Sequence, residues 1–92
     1  MSVDSDFDNM TAIDRLIVIM TMLRDKQHGC PWDLEQTEAS MAPYAVEEAH
    51  ELAEAIAESS AEAAASEAGD CLTVLMLICR IAEQSERFDL GA

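Results

Sequence analysis

From Cys71 to Ile81 the chain carries only two clearly polar side chains, Thr73 and Arg80. A helix through this stretch is apolar nearly all round, and such a helix needs cover on most of its sides. The spacing predicts a helix over 61–84, with Ser59 and Glu62 as its capping box. Thr11 and Asp14 open an earlier helix in the same way. Ile13, Leu16, Ile17, Met20 and Leu23 carry it at helical spacing to about Asp25, and Gly29 and Pro31 stop it. A further helix begins near Ser40 or Met41, with Pro43 in its first turn, where proline is tolerated. On that helix Ala45, Ala49, Leu52, Ala53 and Ile56 share one face. The resulting expectation is an all-α helical bundle with three main helices per chain. Residues 1–10 read as a flexible N-terminal arm and residues 11–92 as a single helical domain. A chain of 92 residues buries only a small core, so three helices cannot cover the apolar one on all sides. A second copy would complete a four-helix-bundle-like core, which makes a homodimer or higher homo-oligomer the expected state.

Five cationic side chains stand against nineteen acidic ones, a net charge of −14. That balance argues against nucleic acid and anionic membrane as partners, because phosphate contacts need Lys and Arg. Solubility alone accounts for part of the acidity, as at Asp4, Asp6 and Asp8. The apolar stretch is too short to span a bilayer. The three cysteines show no CxxC spacing, and no secretory or transit segment is evident, so the expected compartment is the cytoplasm. His28 and Cys30 offer two zinc donors but find no convincing second pair.

The remaining acidity is organised. Glu47-Glu48-Ala49-His50-Glu51 and Glu67-Ala68-Gly69-Asp70 each contain an i, i+3 acidic pair that one helical face presents together. Glu54 and Glu58 continue the first motif as a solvated face, whereas Glu48 and Glu51 fit inward-turned ligands. Glu67 and Asp70 fall too deep in their helix to gain from its N-terminal dipole. Carboxylates there should be paired, metal-bound or protonated. Such a nest of oxygens suits a hard cation shared with substrate phosphates. Gly69 costs its helix on the order of 1 kcal/mol against alanine, which a close approach of another backbone would justify. Trp32, in the rigid turn Gly29–Asp33, reads as a hydrophobic plug or as a wall of a ligand pocket, and the plug is the better physical reading. His50 reads as an outward helix residue.

In their combined order these motifs resemble the MazG family of nucleoside triphosphate pyrophosphohydrolases. Besides the acidic pairs, the likeness is carried by Ile13-Asp14-Arg15-Leu16, Leu23-Arg24-Asp25, Gly29-Cys30-Pro31-Trp32-Asp33, Glu35-Gln36-Thr37, Ala42-Pro43-Tyr44 and Arg87-Phe88-Asp89. It spans about Thr11 to Leu90. The resemblance implies an all-α domain in dimers. It implies Mg²⁺, with Mn²⁺ as a substitute, held by Glu48, Glu51, Glu67 and Asp70. It also implies catalytic roles for Glu47, Glu48 and Glu51, with Glu47 orienting water or a neighbouring ligand, and substrate contacts from Tyr44 and Trp32. The implied reaction cleaves an NTP or dNTP between the α- and β-phosphates and serves to clear non-standard nucleotides.

Family members usually continue past the Arg-Phe-Asp segment into a basic, histidine-containing helix that contacts the triphosphate. This sequence stops at Ala92, and Ser66 stands where an additional acidic residue is common. Two readings therefore stay open: a Mg²⁺-dependent hydrolase, and a non-catalytic metal- or nucleotide-binding regulatory dimer. A third, an acidic dimer that mimics nucleic acid, rests on charge alone. Which Glu activates the water is not legible.

Overall fold

The computed structural model describes residues 8–89 and 91. Among them lie four helices and no strand: α1 (Ala12–Leu23), α2 (Pro31–Glu35), α3 (Glu38–Ala57) and α4 (Ala61–Gln84). Of the expected N-terminal arm, residues 1–7 lie outside the described residues.

The Thr11 hydroxyl caps α1 by accepting from the Asp14 amide at 3.1 Å. Beyond α1 the chain turns on Asp25, whose carboxylate accepts from the amides of Gln27 (2.8 Å) and His28 (3.0 Å). Those two bonds, the Gln27 one foremost, hold its carboxyl below the usual range. The turn closes through Gly29 N–H to Asp25 O (2.8 Å) and Cys30 N–H to Leu23 O (2.9 Å). A Cβ on Gly29 would lie 2.3 Å from Leu23 O and 2.5 Å from Asp25 O, so only glycine fits. Pro31 then starts α2 at a position where its missing N–H costs nothing. The expected rigid turn is therefore a one-turn helix, and its buried side chain is Asp33 rather than Trp32.

Helix α3 starts earlier than Ser40. Thr37 is its N-cap, and a reciprocal box with Ser40 satisfies both end amides. Pro43 consequently sits in the second turn and leaves the Ala39 carbonyl without its helical donor. Both residues are exposed, so water can meet that carbonyl. Helix α4 has the expected bounds, but Ser60 caps it in place of Ser59, accepting from the Ala63 amide at 3.2 Å. Ser59 instead takes the left-handed conformation, φ 60°, that ends α3. Glu86 does the same after α4 (φ 61°). There Glu86 N–H reaches Glu83 O and Arg87 N–H reaches Ala82 O, a Schellman closure.

Helices α1, α3 and α4 enclose a core of Met20, Met41, Met76, Leu77 and Ile81, flanked by Leu16, Ile17, Leu23, Val74 and Ile78. The inward face of α3 is Met41, Ala45, Glu48, Leu52 and Ala55. The expected face is corrected in part, since Ala49, Ala53 and Ile56 are exposed. Periodicity cannot place a face on hydrophobicity when a glutamate belongs to it. Helix α4 is covered on one side only, with Leu72 and Leu75 45% and 47% exposed. Among the described residues, no atom beyond its own stretch of helix lies within 4 Å of a Cβ built on Gly69, so neither a close approach nor tight packing is seen there. Phe88 is also exposed.

Gly29→Ala should destabilise the fold by about 2 kcal/mol or more, because the clash is with backbone. Ser59→Gly should stabilise it by up to about 1 kcal/mol, the left-handed penalty less glycine's entropy. Thermal denaturation checks both, at roughly 4–8 °C per kcal/mol for a domain of this size.

Candidate metal centre

Helices α3 and α4 run antiparallel from a tight turn at Glu58–Ser60. Glu48 and Asp70 are equally far from Ser59 along the chain, as are Glu51 and Glu67. The hairpin register therefore sets the two acidic motifs against each other as rungs. Alanine makes the close approach possible: Ala55 is buried, and Ala63, Ala64 and Ala68 are half-buried.

Glu48, Glu67 and Asp70 each bring one carboxylate oxygen within 4.8 Å of the others. Glu48 and Glu67 are half-buried and Asp70 is exposed. One oxygen of Glu48 and one of Glu67, both Oε2, are buried with no hydrogen-bond partner. Glu51, also half-buried, borders this trio without belonging to it, and its charge is felt at both Glu48 and Glu67. Glu47 is exposed, and its charge is felt at Glu48.

Desolvation raises the Glu48 carboxyl above its ordinary value, helped by the charges of Glu51, Asp70 and Glu47. Glu67 is raised by desolvation too, then by the nearness of Glu51 and by the charges of Asp70 and Glu48. Buried acceptors without donors, crowded by like charge, are a set that a cation would complete. The donors are all hard oxygens, and they fit a hard divalent ion.

Glu54 and Glu58 are exposed, as expected for a solvated face. With Glu51 and Glu67 they also line an open cavity of about 390 Å³ beside the trio. His50 points outward, its Nε2 3.1 Å from Glu54 Oε1. Trp32 is 48% exposed and Tyr44 43%. Their rings meet edge to face with centroids 6.0 Å apart at 79°. The plug reading of Trp32 is thus corrected, and the pair forms an open aromatic surface.

Sequence reasoning missed the residues that hold this surface: Arg24, Gln36 and Gln84. Arg24 donates to the carbonyls of Asp33 and Gln36 and to Gln84 Oε1. They lie at the edge of the larger cavity, about 410 Å³, at the end of the bundle formed by the C-termini of α1 and α4. The presence of Arg24 and Gln36 within the quoted motifs was the available signal.

An all-helical fold whose antiparallel hairpin converges carboxylates with orphaned oxygens is a scaffold on which Glu48, Glu67 and Asp70 could hold a metal ion. The profile of the MazG nucleotide pyrophosphohydrolase domain matches residues 36–92. The chain belongs to the MazG family. It is 45% identical over 82 residues to the nucleoside triphosphate pyrophosphohydrolase of Escherichia coli strain K12, covering 89% of this chain and 31% of that protein. It is 38% identical over 77 residues to the "nucleoside triphosphate pyrophosphohydrolase/pyrophosphatase MazG" of Thermotoga maritima, covering 84% of this chain and 30% of that one. A Mycobacterium tuberculosis protein named nucleoside triphosphate pyrophosphohydrolase is 32% identical over 74 residues, covering 80% of this chain and 23% of that protein. The chain thus spans about a third or less of the length of these curated relatives. Among the described residues, no helix is long and apolar enough to cross a membrane.

Raised carboxyls make folding of the cation-free chain take up protons. Their destabilising effect is full above the raised values and is relieved as pH falls toward the ordinary 4.5. Thermal melts of the cation-free protein should therefore rise from pH 7 to about pH 5. Saturating Mg²⁺ at pH 7 should raise the melt as well and flatten that slope. Glu67→Gln should raise the cation-free melt and abolish most of the gain from Mg²⁺.

Proposed function

We propose that this domain is a divalent-cation-dependent nucleoside triphosphate pyrophosphohydrolase that cleaves an NTP or dNTP to the monophosphate and pyrophosphate. The carrying observation is the convergence of Glu48, Glu67 and Asp70 with two orphaned buried oxygens. The names of the relatives supply the reaction class. Mg²⁺ is the proposed ion, with Mn²⁺ as a substitute, held by that trio and by Glu51 beside it. When bound, it supplies charge neutralisation for the triphosphate and a lowered pKa for water.

The chain's own residues do the rest. Their acidic lining repels a bare triphosphate, so cation occupancy is a condition of substrate binding. Glu47 is the candidate carboxylate left outside both the trio and its border, exposed beside Glu48. It is free to orient an incoming water and take its proton. The water oxygen bonds to the α-phosphorus, the bond from that phosphorus to the α–β bridging oxygen breaks, and pyrophosphate leaves with the electron pair. Trp32 and Tyr44 offer the nucleobase a stacking surface.

The assembly we propose is a homodimer. The uncovered Leu72 and Leu75 support it. So does an apolar groove of about 330 Å³ lined by Ile13, Leu16, Ile19, Gly69 and Leu72. Clearance of non-standard nucleotides in the cytoplasm is the proposed role. The enzyme names of the relatives favour this reading over a binding-only module.

A panel of common and modified triphosphates, with pyrophosphate detection and with or without Mg²⁺ or Mn²⁺, tests the reading. Release should require the ion and fall about 100-fold in Glu51→Gln and Asp70→Asn. No release from any nucleotide would end the hydrolase reading. In light scattering the chain should run as a dimer and Leu75→Glu as a monomer. A monomeric parent chain would remove the dimer.

A further inference from the structure

The one-turn helix α2 is too short to hold its own direction. Its Trp32 is half exposed, so burial does not fix the ring either. A polar strut from the far end of the chain holds the backbone that carries the ring. Gln84, in the last turn of α4, grips Arg24 twice: its Oε1 accepts from Arg24 Nε at 2.6 Å, and its Nε2 donates to Arg24 O at 3.1 Å. That grip sets the plane of the guanidinium. From that plane, Nη1 donates to the carbonyl of Asp33 and, at 3.3 Å, to that of Gln36. Gln36 in turn donates from Nε2 to Trp32 O at 3.1 Å, and its Oε1 accepts from Ser40 Oγ at 2.8 Å. The carbonyls of residues 32, 33 and 36 are thus all held by side chains, which ties α2 to α1, α3 and α4 together.

We propose that Gln84 and Arg24 are positioning residues that aim Trp32 at Tyr44. They set the aromatic surface where a nucleobase meets it. The functional part of this rests on the base-contact reading of Trp32 given above. Arg24 is part-buried with several acceptors, whereas Gln84 is exposed, so Gln84 is the residue to vary.

Trp32 is the sole tryptophan, so its emission reports the strut without any nucleotide. The full chain carrying Gln84→Ala should keep its helical circular dichroism. Its Trp32 emission should shift to the red, with acrylamide quenching raised about twofold. With Mg²⁺ and a triphosphate, KM should rise severalfold while kcat stays within about twofold. Gln84→Glu keeps an acceptor for Arg24 Nε and should restore the emission and KM most of the way. Unchanged emission and quenching in folded Gln84→Ala would overturn the strut, as would failure of Gln84→Glu to restore either. A changed emission with unchanged KM would uphold the strut and overturn the base-contact reading of Trp32.

Discussion

The seam between α3 and α4 gathers like charges where water is partly excluded. Glu48 and Glu67 each bury an oxygen that no donor meets, with Glu51 and Asp70 close by. Such a group is expensive, and among the described residues no hydrogen-bond donor meets those oxygens to offset it. Three of the cations are engaged elsewhere: Arg24 with carbonyls, Arg80 with Glu83, Arg87 with Glu38. The hairpin therefore holds a set of carboxylates that a cation would complete. Preorganisation of this kind costs stability and repays it in affinity.

That expense is kept away from the core. Met20, Met41, Met76, Leu77 and Ile81 gather around α1, the start of α3 and the second half of α4. The acidic rungs occupy the other half of the α3–α4 pair, where small alanines replace large apolar side chains. Methionine suits the packed end because its flexible thioether fills irregular gaps between three helices. The division leaves apolar side chains on outer faces, with Val46 and Ile56 on α3 and Leu72 and Leu75 on α4.

Much of this was legible in residue order. The bounds of α4, three of the four expected carboxylates (Glu48, Glu67 and Asp70, without Glu51) and the outward set of His50, Glu54 and Glu58 agree with the spacing. Failures cluster where a local hydrogen bond overrides pattern. The start of α3 is set by Thr37 and Ser40, a box in which serine does the work expected of glutamate. The Ser59 cap lost to Ser60 because the turn needs one left-handed residue, and Ser59 supplies it. The α3 face was misplaced because Glu48 is an inward position, so polarity pointed the wrong way. The plug reading of Trp32 rests on its apolar ring, while the buried residue of α2 is the smaller Asp33. Long-range polar ties such as Arg24 to Gln84 leave no trace in periodicity at all.

The carboxylate trio also has a kinetic character. Every carboxylate of the trio comes from one continuous helical hairpin closed by a tight turn. Its assembly needs only local chain closure, which is fast and carries little loop entropy. The docking of α1, and the tie from Arg24 to Gln84, join parts of the chain far apart in sequence. A nascent chain can therefore form its acidic pocket soon after the hairpin is made, before the aromatic surface is in place. A cation available at that stage would act on folding itself, drawing the two helices together ahead of the slower contacts.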